Sequence, residues 1–181
     1  KNPDAKKLLR PYWGGEAFTV GTVDVQSFLT PHDAAESVGY ILGTHEHRFG
    51  FATDLGFVPA AVEKQLLGCD TVVLESNHDP DMLRTGPYPW PLKQRVAGSH
   101  GHLSNPDCAA CALRLAENGT STLILAHLSE HNNTPMTALR ETRAALDAAG
   151  LACEVYVAPK EEMEHSIHLN AMEVQVCLAS V

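Results

Sequence analysis

Residues 69–76 read CDTVVLES. The four at 71–74 are apolar or β-branched, with no alternation between polar and apolar positions. A run this short and uniform reads as a strand buried on both faces, the kind that lies inside a sheet flanked by helices. Residues 121–126, STLILA, repeat the pattern. Between and after these two strands the chain turns helical. Asn105 reads as an N-cap with Pro106 at the first helical position, and Asn118-Gly119 as the stop. Thr134-Pro135 opens another helix in the same way, ending at Gly150, and residues 153–157 form a further strand.

Upstream the pattern changes. Residues 17–20 and 23–29 are β-rich around a turn at Gly21, and 38–42 and 49–53 read as two more strands. Residues 59–67 have helical spacing. The segment 79–96 holds four prolines and breaks into short helices or turns. Residues 1–10 read as the end of a helix closed by Pro11, and within the tail from 159 onward only 172–178 suggests a strand. Hairpins first, then strands alternating with helices, make an α/β layered domain. A length of 181 residues suits one domain spanning 1–181.

Composition narrows the function. Apolar residues make up 44% of the chain, enough for a sizeable core. No run of about 18 apolar residues exists that would span a membrane, and no charged-then-apolar leader is present. The net charge of −9 speaks against coating nucleic acid through bulk charge. An enzyme holding nucleic acid in a local cleft stays open. Five cysteines without framework spacing fit a reduced, cytoplasmic protein.

Ten histidines are many for this length, and several share one layout. A strand runs out into a loop carrying a candidate ligand in FLTPHD (His32), FATDLG (Asp54), VVLESNHD (Asn77, His78, Asp79) and LILAHLSEHNN (His127, His131). SHGHLSN adds His100 and His102. One histidine after a strand is an ordinary hydrogen-bonded surface residue. Several at the ends of neighbouring strands can converge on one point, and imidazole with carboxylate suits zinc, manganese or iron.

Five segments in order, FLTPHDAAESVGYIL, FATDLGFV, VVLESNHDPDMLRTGPYPWPLKQRV, GHLSN and LAHLSEHNNTP, resemble the metallo-β-lactamase superfamily over residues 10–157. More narrowly they resemble its YycJ (WalJ) branch, described as 5′–3′ DNA exonucleases or phosphodiesterases. The resemblance implies an αββα sandwich with a binuclear site at one sheet edge. It implies His32, Asp54 and His127 as metal ligands, with Asp54 bridging two divalent ions, zinc or manganese or else iron. It gives His102 the place of a histidine that stabilises the phosphate transition state or protonates the leaving group. Asn77 and His78 would stand near the site as supporting or substrate contacts. A metal-bridged hydroxide, oriented by Asp54, would attack phosphorus in a DNA substrate, single-stranded or at a duplex end.

One motif departs from the family. Residues 43–50, GTHEHRFG, begin like the hallmark HxHxDH, but lack its aspartate and last histidine and follow the His32 motif instead of preceding it. THEH therefore reads as a hairpin turn. The resemblance then places HxHxDH in a further N-terminal portion of roughly 80 residues ahead of Lys1, so that 1–181 is the C-terminal part of the sandwich. Without that portion fewer metals would bind. Two other readings stand beside the nuclease: a hydrolase of the same fold acting on a small ester or cyclic phosphodiester, and a non-catalytic fragment. Cys108-Ala-Ala-Cys111 reads as helix packing, because no second CxxC exists. The acidic and histidine residues from Glu161 to His168 read as a solvated tail. Tyr88-Pro89-Trp90 suits equally a nucleobase platform and a packed turn.

Overall fold

A computed structural model describes residues 9–160, together with the backbone of two short strands beyond them. The expected helix at the N-terminus falls almost wholly outside these residues. Seven strands form one sheet in chain order: β1 Ala17–Val20, β2 Val23–Leu29, β3 Val38–Gly43, β4 Arg48–Ala52, β5 Thr71–Glu75, β6 Thr122–Ala126 and β7 Glu154–Val157. The first four pair antiparallel and the rest parallel. Five helices are interspersed: α1 Ala60–Leu66, α2 Pro80–Thr85, α3 Trp90–Val96, α4 Asn105–Glu117 and α5 Pro135–Ala148. The strands β8 Ile167–Leu169 and β9 Val174–Val176 form a separate antiparallel pair, the second inside the expected strand at 172–178. Side chains of residues 161–181, including those of the acidic and histidine tail, lie outside the described residues. None of the described helices is long and apolar enough to cross a membrane.

The core lies on one face of the sheet. Ile41, Gly50, Val72, Leu123 and Val155 stand in register across five strands. Ile41, Val72, Leu123 and Val155 pack with Leu66 of α1, with Cys108, Cys111 and Leu115 of α4, and with Ala138 and Leu146 of α5. Each leucine buried there contributes about 1.5–3 kcal/mol. At Gly50 a Cβ would meet Leu66 Cδ2 at 2.8 Å, so glycine is what lets α1 approach the sheet. The adjoining register row, on the other face, runs Tyr40, Phe51, Val73, Ile124 and Tyr156, apolar or aromatic across five strands. Phe51 there is 36% exposed. In an αββα sandwich this is the face that packs on a second sheet.

The buried strands fall where their sequence puts them, within a residue at each end. The helix at 105–117 starts one residue earlier than expected. Its N-cap is Ser104, whose hydroxyl accepts from the Asp107 amide at 3.3 Å. Asn105 cannot serve, because its side chain is used elsewhere. It forms a reciprocal amide pair with Asn133, both bonds 2.9 Å, and also accepts from Ser76 Oγ at 2.7 Å. Thr134 caps α5 as read, accepting from the Thr137 amide at 3.1 Å. Cys108 and Cys111 are buried on α4 and pack into the core, and burial pushes the Cys111 thiol up to about 12.

THEH is the β3–β4 turn. The Thr44 amide donates to the His47 carbonyl at 2.8 Å, and the His47 amide donates to Thr44 Oγ1 at 3.1 Å. Strand β4, five residues and about 17 Å long, separates this turn from Asp54. The strands β2, β4, β5 and β6 all point the same way, so the loops after Leu29, Ala52, Glu75 and Ala126 open at one edge.

Candidate metal centre

That edge is the carboxyl end of the parallel strands, where α/β sheets gather ligand-binding groups. Asp54 follows β4 by two residues, Glu75 closes β5, and His127 is the first residue after β6. His102 comes from the loop between α3 and α4. One donor atom from each of these four lies within 4.8 Å of the other three. Asp54 Oδ1 faces three imidazoles, at 3.6 Å from His127 Nδ1, 3.7 Å from His32 Nε2 and 3.9 Å from His102 Nδ1.

Glu75 holds two of these rings. Its side chain is fully buried. Oε1 accepts from His102 Nδ1 at 2.8 Å and from His127 Nδ1 at 2.6 Å, while Oε2 accepts from the amides of Leu55 at 3.0 Å and Leu103 at 3.3 Å. Burial alone would raise its pKa. The hydrogen bonds from His102, His127 and Leu55 outweigh that and hold the carboxyl below its ordinary value. The same contact raises the pKa of His127 against the opposing effect of burial.

His32 stands one step outside the four. Its Nδ1 lies 2.9 Å from the Gly101 carbonyl, which can only accept, so Nδ1 donates there and Nε2 is the nitrogen turned toward the cluster. That Nε2 faces Asp54, and Asp33 at 3.5 Å. A histidine whose second nitrogen is fixed by a backbone carbonyl is prepared for a metal.

The backbone marks the same residues. Asp54, with φ of 56°, and His127, with φ of 58°, are the two non-glycine residues in the left-handed region among those described. Such a conformation persists where its surroundings enforce it. The Asp54 carbonyl faces the hydroxyls of Thr30 at 3.0 Å and Ser37 at 3.3 Å. The His127 carbonyl accepts from Asn77 Nδ2 at 2.8 Å, and the Asn77 carbonyl accepts from the Ser129 amide at 2.8 Å. Carboxylates and imidazoles packed this closely, with the His32 Nε2 turned toward Asp54, fit a divalent ion of the zinc, manganese or iron type.

The residues named from the sequence thus meet unequally. Asp54, His102, His127 and His32 converge. Asn77 lies beside them as the anchor of His127. His78 is buried with Nδ1 unpartnered, and burial lowers its pKa, but it stands outside both the cluster and the cavity beside it. Glu75 was not foreseen. Its signal is the acid at the end of a strand buried on both faces, which demands a partner.

A cavity of about 290 Å³ opens on the cluster, lined by His32, Asn77, Tyr88, Leu92, His102 and His127 among others. A larger one, about 550 Å³, adjoins the THEH turn at the far end of the sheet. The only group of clustered potential ligands among the described residues borders the smaller cavity, so chemistry, not size, identifies the site.

Residues 6–128 match the family model described as a beta-lactamase superfamily domain. The chain is 35% identical over 136 residues to exodeoxyribonuclease YycJ of Bacillus anthracis, covering 75% of this chain and 52% of that protein. It is 35% identical over 146 residues to exodeoxyribonuclease WalJ of Streptococcus pneumoniae, covering 78% and 54%. It therefore spans about half the length of these curated relatives. The metallo-beta-lactamase fold protein YhfI from Bacillus subtilis superposes with a TM-score of 0.61 at 18% identity, over 81% of this chain and 51% of that one. With the family model matching well over half of its residues and a ligand cluster at the edge of its sheet, the chain belongs to the metallo-β-lactamase superfamily.

Proposed function

We propose that this protein is a metal-dependent phosphodiesterase that degrades DNA from an end, in the 5′ to 3′ direction, in the cytoplasm. The observation that carries the reading is Asp54 Oδ1 facing three imidazoles, two of them tied to the buried Glu75. The names of the relatives, exodeoxyribonucleases, support the choice of substrate. His32, Asp54 and His127 would serve as ligands of divalent metal. When bound, such ions polarise a phosphate and lower the pKa of a water.

The chain's own residues do the rest. Glu75 orients two rings at once, since neither can turn without breaking a bond to Oε1. His102 is the ring left to serve the substrate, placed to stabilise the phosphate oxygens or hand a proton to the leaving oxygen. Thr30, Ser37 and Asn77 hold the backbone of Asp54 and His127 in the turn that aims them inward.

The test uses the intact protein loaded with Zn²⁺ or Mn²⁺. Single-stranded and duplex DNA, labelled at either end, are digested beside bis(p-nitrophenyl) phosphate. Early release of the 5′ label as a mononucleotide is expected. Hydrolysis of the small phosphodiester alone would point instead to a small-molecule phosphodiesterase, and hydrolysis of neither would overturn the phosphodiesterase reading.

Asn77→Ala provides a separate check. Loss of the bond to the His127 carbonyl should weaken Zn²⁺ binding about tenfold, read by competition with a chelating dye, while the protein stays folded. Unchanged affinity would mean that His127 holds its left-handed turn unaided.

A further inference from the structure

We infer that Tyr88, Leu92 and Val96 form a seat for one unpaired terminal nucleobase, on the wall of the cavity whose floor holds His102 and His127. The inference rests on the phosphodiesterase reading and adds to it what the site recognises beside the phosphate.

The cavity has two characters. Its floor is polar, made by His32, His102 and His127. One wall is aromatic and aliphatic, made by Tyr88 and by Leu92 and Val96 one helical turn apart on α3. A nucleotide has the same two ends, a charged phosphate and a flat base with apolar faces. The Tyr88 ring is half-buried and meets His131 edge to face, with centroids 5.9 Å apart and planes at 89°. At about 290 Å³ the cavity is at the small end for ligand sites. That volume is on the scale of one nucleotide residue rather than a base pair. Trp90 is 67% exposed and does not line the cavity, so within YPW the wall belongs to Tyr88.

Charge agrees. Two carboxylates reach the cavity, and each has a cation. Asp33 takes Arg95 Nε and, at 3.0 Å, Nη2, while Glu130 takes Lys160 at 2.9 Å. Residues 82–106, which supply the apolar wall, contain no aspartate or glutamate, the longest such run in a chain of net charge −9. An anionic strand can approach along this side without meeting an unpaired acid from the cavity lining.

The experiment measures binding, independently of turnover. Labelled single-stranded oligonucleotides ending at the 5′ side in either a normal nucleotide or an abasic residue, made with hydrolysis-resistant phosphorothioate linkages for binding and with ordinary linkages for cleavage, are titrated into the metal-loaded intact protein and followed by anisotropy. The wild type should bind the normal end about tenfold more tightly than the abasic one. Tyr88→Ala should abolish this preference, and Tyr88→Trp should restore it. Equal affinity of the wild type for both ends would overturn the seat, as would a preference that survives in Tyr88→Ala. Failure of the wild type to cleave either oligonucleotide would instead strike at the phosphodiesterase reading, and the binding preference would still decide the role of Tyr88.

Discussion

Glu75→Gln should destabilise the protein by about 2 kcal/mol at neutral pH, which for a chain of this size lowers Tm by about 4–8 °C. It should also weaken metal binding by about 10- to 100-fold. The fully buried carboxylate accepts four hydrogen bonds, two of them from imidazoles. An amide keeps the shape but removes the charge and one acceptor. The pH dependence has a defined sign. The folded pKa lies below the ordinary 4.5, so the stabilisation is fully present above that value and fades as pH falls through the folded pKa. The same carboxylate raises the pKa of His127, a contribution fully present below pH 6.5 and lost as pH rises through the folded value. The gap in Tm between wild type and variant should therefore be widest between about pH 4.5 and 6.5 and should narrow on either side. Calorimetry across that range, with Zn²⁺ titrations, checks both parts. A gap that does not change with pH would show that packing, not charge, is what Glu75 supplies.

His102→Ala should retain its metal, by elemental analysis, and lose about 10²- to 10⁴-fold in turnover on DNA. The choice of substrate sharpens the test. A sugar hydroxyl needs a proton as it leaves, whereas p-nitrophenolate does not. If His102 delivers that proton, the loss on bis(p-nitrophenyl) phosphate will be much smaller than the loss on DNA. Equal losses on both would give His102 the phosphate oxygens instead, and no loss on either would remove it from the chemistry.

Much of this was legible in the sequence because strands announce themselves and their ends are short. CDTVVLES and STLILA had to be buried strands, and the residues just past such strands must emerge at the sheet edge. The strand-to-loop layout put His32, Asp54 and His127 at strand ends, and the family resemblance named them as ligands; that β2 and β4 run the same way and bring them to one edge is what the structure adds. Glu75 was hidden by its position inside the strand, where the eye reads apolar continuity. The convergence of His102 on Glu75 joins residues 27 apart across two short helices and the loop after them, which no local periodicity encodes. The N-cap at Ser104 shifted for a similar reason. Asn105 was recruited by Asn133, a contact between two helix starts that only the folded chain brings together. Left-handed backbone at Asp54 and His127 is equally invisible in residue types, since neither is glycine.

The Asn105–Asn133 amide pair has a consequence for how fast the site can fill. Asn133 Nδ2 also donates to the carbonyls of Ser76 and Asn77, so one buried side chain links the starts of α4 and α5 to the loop leaving β5. The arms bearing Glu75, His102 and His127 are thereby braced against each other by the polypeptide itself. Ordering them costs entropy once, during folding, and not again at each encounter with an ion. Uptake of metal should then be limited by the ion shedding its water, with a single kinetic phase and no slow rearrangement behind it.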